Sequence, residues 1–320
     1  MEKKHAYLIM VHQFDYILET LLRLIDDERN DIYVHVDKKV RDLFEDKIMR
    51  LVKNSELYFV KRHKVYWGHV SQLCAEYELF QTACMHGGYC RYHLISGSDL
   101  PIKSQDVIHD FFDSHKEEEF VAFWKNDMVD RVKYKWIFPR HLRGMCTGRY
   151  WIGRKINNVQ WVLAHRLVDF QKWIGCTNRA FPIYKKCTNW VSITENAVRV
   201  LLWYKKKVIR GFRLSSCPDE HYKATIFYCV INGMIPWPKG CMEHLSFYKY
   251  PETEIEKHNL QDFVKDVCDF DAARYIDWMR GGPLELTMAD WDRIVNSDAM
   301  FCRKVIDEKL AEKLYERCMQ

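Results

Sequence analysis

The segment Ser215-Ser216-Cys217-Pro218-Asp219-Glu220-His221 concentrates more potential chemistry than any other in the chain. A proline followed by two carboxylates suits the start of a helix, where spare N–H donors and the positive end of the dipole welcome anions. Aimed out of that start into a cleft, one carboxylate could act as general base towards an attacking hydroxyl. Spacing alone does not choose between Asp219 and Glu220. A second segment, Met300-Phe301-Cys302-Arg303-Lys304, puts two cations after a short apolar run. Brought beside a sheet, that pair could neutralise a leaving diphosphate, a task performed elsewhere by a metal ion.

Such groups need a frame, and the first 124 residues supply one by alternating short apolar runs with amphipathic stretches. Strands are expected at Ala6–Val11, Asp31–Val36, Glu56–Val60, Arg91–Ile95 and Phe120–Trp124, each mostly β-branched or aromatic. Helices are expected at Tyr16–Ile25, Val40–Val52, Val70–Met85 and Asp106–Ser114. In the third of these, Val70, Leu73, Cys74, Tyr77, Phe80, Ala83 and Cys84 form one buried face. Strand and helix in turn mean an α/β fold with a mainly parallel sheet and helices on both faces. The second half is less regular. It offers a strand-like Trp190–Ile193, a helix Glu195–Lys206, a helix from near Pro218, helical runs at Gln261–Arg280 and Thr287–Asn296, an apolar Ala299–Cys302 and a last amphipathic helix.

Ligands of such sheets bind beyond the carboxyl ends of the strands. The residues there are His12, then Asp37 in His35-Val36-Asp37, then Trp67 and Gly68 in Lys64-Val65-Tyr66-Trp67-Gly68, and Ser98 and Asp99 in Ser96-Gly97-Ser98-Asp99-Leu100-Pro101. Taken singly, each suits a turn or a helix cap. Together, four polar strand ends describe a site.

Composition narrows the reading. The chain has 320 residues, 48% hydrophobic and 29% charged, which is globular rather than disordered. The common dinucleotide, P-loop and α/β-hydrolase motifs are missing, so a nucleotide would be held in some other way. Two acidic triplets, Asp269-Phe270-Asp271 and Asp290-Trp291-Asp292, read as helix-surface acids rather than as a metal-diphosphate site. Twelve cysteines without a Cys-x-x-Cys pair indicate a reducing compartment and argue against structural zinc. No apolar run is long enough for a signal peptide or membrane span.

Net charge is +5, yet Arg131 to Val168 holds nine Lys/Arg and no acid, leaving the remainder net acidic. That window also carries Trp136, Tyr150, Trp151 and Trp161, a mixture suited to anionic ligands or membrane headgroups. One patch on an otherwise acidic chain is not the footprint of a nucleic-acid binder.

The chain resembles the core-2/I-branching β-1,6-N-acetylglucosaminyltransferase family, which also contains peptide O-xylosyltransferases. The resemblance is carried in order by Ala6–His12, Ile32–Asp37, Tyr66-Trp67-Gly68, Tyr92–Lys103, Asn189–Thr194, Cys217–Thr225 and Met300–Lys304. It implies a GT-A-type, Rossmann-like fold with a helical C-terminal extension, and an inverting transfer from a UDP-sugar without cofactor or divalent metal. It selects Glu220 as the base, sets Asp37 by the nucleoside and matches Lys304 to a basic residue on the UDP diphosphate. His12, Trp67, Gly68, Ser98, Asp99 and Arg303 then line the donor side, and Asn189, Trp190, Trp278 and Arg280 the acceptor side.

Two departures stand out. A second diphosphate-binding Arg is missing near Pro283-Leu284-Glu285-Leu286-Thr287, for which Arg280 or Arg303 could substitute. Cys187-Thr188-Asn189-Trp190 replaces a more usual Gly-Ser-x-Trp. The organisation expected is residues 1–124 as a nucleotide-sugar half, 125–185 as a basic aromatic-rich insertion, and 186–320 as the acceptor and catalytic half with C-terminal helices. The function expected is a cytoplasmic glycosyltransferase, peripheral at the inner membrane face, moving N-acetylglucosamine or xylose to an oligosaccharide or lipid-linked glycan. The alternative is a UDP-sugar or glycan-binding protein without turnover. A glycosidase using Asp219 and Glu220 fits less well, because neighbours on a helix point about 100° apart.

Overall fold

The computed structural model describes residues 4–42, 44–124, 127–137, 158–248 and 272–320, together with the backbone of 151–157. The triplet Asp269-Phe270-Asp271, the first part of the Gln261–Arg280 run, and Arg140, Arg143, Arg149 and Tyr150 lie outside the described residues, as do the side chains of Trp151, Arg154 and Lys155.

The central sheet has the order β3-β2-β1-β4-β7, built from β1 (His5–Val11), β2 (Asn30–Val36), β3 (Glu56–Phe59), β4 (Arg91–Ser96) and β7 (Ser192–Ile193). The first four are parallel and β7 is antiparallel to β4. Strands β1 and β2 are buried along almost their whole length, because helices cover both faces of the sheet. Alternation divides the core: Ala6 and Leu8 join one apolar cluster, and Tyr7, Ile9 and Val11 the other. The first cluster takes α3 (Val70–His86), α7 (Glu195–Trp203) and α9 (Tyr222–Ile231). The second takes α1 (Tyr16–Ile25) and, at the C-terminus, α11 (Glu308–Cys318).

Local chemistry explains the helix starts. Asp15 accepts from Leu18 N at 2.9 Å to open α1, and Thr194 accepts from Ala197 N at 3.3 Å to open α7. Of the expected Val40–Val52 helix, only α2 (Glu45–Leu51) forms.

The second half departs further from the expected elements. Phe120–Trp124 is not a strand but extended chain, touching Ser192 and Cys187 through single bridges at Phe120 and Phe123. The strand nearby is β6 (Glu118–Glu119), paired with β8 (Ser246–Phe247). The expected helix from 261 to 280 contains β9 (Arg274–Ile276), which lies parallel to β10 (Phe301–Arg303). Antiparallel to β10 runs β5 (Leu100–Pro101), directly after the Ser96–Asp99 turn. This three-stranded sheet brings the C-terminal cations to the carboxyl end of β4. The helix expected near Pro218 begins as a 3-10 turn, Pro218–Glu220, before α9. Asp290, expected on the surface, is buried, because it caps Thr287 N at 3.1 Å and receives Arg280 Nη2 at 2.6 Å.

Buried ionisable groups shape the pH response. Burial lowers His35 to about 4, His221 to about 3, and His5 and His93 well below the ordinary histidine range. The stability these four contribute is present above about pH 6.5 and is lost as pH falls towards their folded values. Burial has the opposite sign for two acids, raising Asp219 to about 8 and Glu119 to about 7. Their contribution is present at low pH and is lost as pH rises through those values. Each group contributes at most about 1.4 kcal/mol per pH unit, so four histidines outweigh two acids on the acid side. The melting temperature is therefore expected to peak near pH 6.5 and to fall more steeply towards pH 4 than towards pH 8. A differential-scanning titration that climbed from pH 6.5 to 8.5 would contradict this.

Candidate active site

Glu220 closes the 3-10 turn, and the chain enters that turn through Cys217 in a left-handed conformation, φ +49°. Facing it is Gly68, φ +63°, whose carbonyl accepts from Cys217 N at 2.8 Å. A Cβ on Gly68 would stand 3.0 Å from Cys217 Sγ. Glycine suits both the positive φ and the close approach. The Trp67-Gly68 loop and the acidic turn are thereby stitched together, with Trp67 about half exposed beside them.

The two carboxylates of the turn part company. Asp219 points inward: its Oδ2 accepts from Gln72 Nε2 at 3.0 Å and its Oδ1 has no hydrogen-bond partner among the described residues. Burial, then the charges of Glu220 and Glu76, raise its pKa, which keeps it protonated at neutral pH. Glu220 points outward, with its side chain 26% exposed. Its Oε2 is clamped by Arg131 Nη1 at 2.9 Å and Lys186 Nζ at 3.4 Å. Its Oε1 carries no hydrogen bond from a described residue. Lys186 lies over the Trp124 ring, 3.6 Å from its centroid, and Trp124 meets Trp278 edge-on at 5.5 Å. Burial pulls the Lys186 ammonium below its usual range, with Glu220 opposing and Arg131 adding to the shift. One carboxylate oxygen is thus held by two cations, one of which lies over the Trp124 ring, and the other oxygen is left without a hydrogen bond from a described residue.

Beneath the turn, Glu76 and Lys223 form a fully buried pair at 2.8 Å, joined by the Tyr222 hydroxyl donating to Glu76 at 2.8 Å. Lys223 also donates to Asn189 Oδ1 at 2.7 Å. Asn189 is therefore buried and engaged in the support of the turn rather than displayed to an acceptor.

Trp190 turns to the other cluster. The Arg303 guanidinium stacks 4.1 Å from its centroid, pairs with buried Asp99 at 2.8 Å, and donates to Ser96 Oγ. Ser98 contributes its carbonyl to Val305 N at 2.9 Å. Among the described residues the Lys304 ammonium pairs with Glu285 alone, at the surface and at 2.5 Å. Asp37 is buried at the end of β2 and accepts from Lys39 N at 2.9 Å and Val65 N at 3.4 Å, fixing the loop that leads to Trp67. His12 is exposed at the end of β1. Arg280 is held by two buried carboxylates, Asp277 and Asp290, at 2.5 and 2.6 Å.

The sequence-derived residues therefore fall into two groups, bridged by one stretch of chain. Lys186 touches Glu220, Cys187 N donates to the Glu220 carbonyl at 2.8 Å, Asn189 takes Lys223, and Trp190 takes Arg303. Sequence reasoning did not single out Trp124 or Lys186, and it counted Arg131 only as part of a basic patch. The one local signal was the Lys185-Lys186 pair just before Cys187.

The structure thus offers a mainly parallel sheet with polar strand ends and a carboxylate clamped by two cations. A family model described as Core-2/I-Branching enzyme matches residues 5–300. The chain belongs to that family. As a core-2/I-branching enzyme it is a glycosyltransferase, and its helix-flanked sheet accords with the family's GT-A-like fold. No individual curated protein matches it.

Proposed function

We propose that this core-2/I-branching enzyme moves a sugar, N-acetylglucosamine in preference to xylose, from its UDP-sugar to a hydroxyl of a glycan acceptor. Transfer inverts the anomeric centre and needs no divalent metal. The observation that carries the reading is the clamped Glu220, with one oxygen held by Arg131 and Lys186 and the other open. Oε1 takes the acceptor proton as the hydroxyl oxygen bonds to the anomeric carbon. The bond from that carbon to UDP breaks on the opposite side, and the electron pair leaves with the diphosphate. Of the cations foreseen for the diphosphate, Arg303 and Arg280 already pair with buried carboxylates, whereas the ion pair that Lys304 makes among the described residues, with Glu285, is exposed. Lys304 is accordingly the residue assigned to the leaving group. The acceptor is read as a glycan carried on lipid at the cytoplasmic leaflet.

The test is UDP release across a panel of UDP-sugars, with and without EDTA. Release with UDP-N-acetylglucosamine, undiminished by the chelator, is expected, and chelator-sensitive release would overturn the metal-free mechanism. Lys304→Ala should raise the KM for the donor by about tenfold or more, the loss of one charge-assisted contact. It should barely move the melting temperature, because exposed ion pairs are worth about 0–1 kcal/mol.

A further inference from the structure

At the amino ends of the parallel strands, opposite the carboxyl ends that carry Asp37 and Asp99, residues from three elements converge. His5 opens β1, Cys90 stands just before β4, and Asp113 is the next-to-last residue of α4 (Gln105–Ser114). A ring nitrogen of His5, the Sγ of Cys90 and a carboxylate oxygen of Asp113 lie within 4.8 Å of one another. Backbone pairing brings them there. His5 is in register with Arg91 across β1 and β4, and Cys90 donates to Lys4 O from its N at 3.0 Å and from its Sγ at 3.5 Å. The buried Arg91 guanidinium donates to His115 O at 2.9 Å and to Phe112 O at 3.5 Å, which docks the end of α4 on β4.

His5 itself supplies a second, independent pointer. It is fully buried, its ring stacks on His109 with 4.0 Å between centroids, and its Nδ1 lies 3.1 Å from His93 Nε2. The nitrogen left for a ligand is Nε2, which has no hydrogen-bond partner among the described residues. A buried polar atom in that state is costly unless something occupies it. Behind the ring, His93 Nδ1 lies 2.7 Å from Ser192 Oγ, and Arg274 Nη2 donates to the same oxygen at 3.2 Å. A hydroxyl can accept from both. His93 Nδ1–H then donates to Ser192, His5 Nδ1–H donates to His93 Nε2, and His5 Nε2 presents its lone pair, the relay that ordinarily orients a metal-bound imidazole.

We propose that His5 Nε2, Cys90 Sγ and an Asp113 carboxylate oxygen bind one divalent cation of the zinc class, with a fourth position open to the adjoining cavity. Imidazole, thiolate and carboxylate are donors that suit tetrahedral zinc. On binding, the Cys90 thiol gives its proton to solvent, so two anionic donors balance the charge of the ion. Zinc bonds of about 2.0–2.3 Å set tetrahedral ligands roughly 3.3–3.8 Å apart, so the three must draw in by up to about 1 Å. Asp113, exposed at a helix end, can supply that movement by a change of rotamer. Cys90 and Asp113 also line a cavity of about 920 Å³, which gives water access to the fourth position. The lack of a Cys-x-x-Cys pair argued against structural zinc, but these donors come from positions 5, 90 and 113, which only the fold brings together. The seven residues of β1, roughly 20 Å, separate them from the far ends of the strands. The cation therefore has no part in sugar transfer. It ties the start of β1, the entry to β4 and the end of α4, and the inference stands apart from the metal-free transfer proposed above.

The experiment titrates Zn²⁺, and separately Co²⁺, into the full chain after treatment with chelator and dialysis. One equivalent of Zn²⁺ is expected to bind and to raise the melting temperature, because a ligand of the folded state alone stabilises it. Co²⁺ should show a thiolate-to-metal charge-transfer band in the near ultraviolet. Asp113→Asn, an exposed change, should weaken zinc binding about tenfold or more, at least the effect of losing a partner behind a ligand. Cys90→Ser should abolish the thiolate band. Failure of Zn²⁺ to bind, or binding and band unchanged in both variants, would overturn the proposal. UDP release in EDTA should be equal in the parent and both variants, and release that fell with loss of this cation would overturn its placement outside the transfer. Failure of zinc to bind with UDP release intact refutes this inference and leaves the transferase reading standing.

Discussion

Glu220→Gln is expected to slow sugar transfer by about 10²–10⁴-fold, the usual contribution of a positioned general base, while UDP still binds. The amide keeps the shape of the side chain and a hydrogen-bond acceptor for Arg131, so the turn should hold its place. What it loses is the oxygen able to take the acceptor proton. The signature is a fall in kcat with little change in donor KM, because the base acts on the transition state and not on donor binding. Asp219→Asn is the matched control. Asp219 is buried against Gln72 and protonated at neutral pH, so a neutral side chain there should preserve turnover. Wild-type rates in Glu220→Gln, or equal losses in both variants, would refute the assignment of the base.

The second large effect is on stability. Lys223→Met should cost about 3–5 kcal/mol, because it leaves the Glu76 carboxylate buried without its cation. Both partners are wholly inaccessible, and one oxygen of Glu76, Oε1, has no hydrogen bond among the described residues. The double variant Glu76→Leu, Lys223→Met removes both charges together and should recover much of the loss, since a buried pair need not outperform apolar side chains of similar volume. Thermal denaturation of the three proteins at one pH reads this directly. A single variant as stable as the parent, or a double variant no better than the single, would show that the pair does not behave as a buried unit. Because Lys223 also holds Asn189 and the Asp219 carbonyl, the single variant should loosen the turn that carries Glu220.

The sequence by itself determined the framework of β1 to β4 with α1 and α3 between them. Parallel strands buried on both faces write continuous apolar runs, and helices one turn from solvent write a 3.6-residue period, so both signals lie within a dozen neighbouring residues. The polar strand ends followed from that framework, and Pro218 with its two acids marked the start of a helix, though not the 3-10 turn that precedes it. Only the tertiary structure decided which carboxylate faces outward, because Asp219 and Glu220 differ in what lies beyond them: Gln72 for one, Arg131 and Lys186 for the other. It also decided that β5, β9 and β10, strands of two or three residues with no period of their own, would form a sheet from positions near 100, 275 and 302. Arg280 looked like a spare cation until Asp277 and Asp290 closed around it. Such pairings join residues far apart in the chain, where local pattern carries no information and packing alone selects the partner.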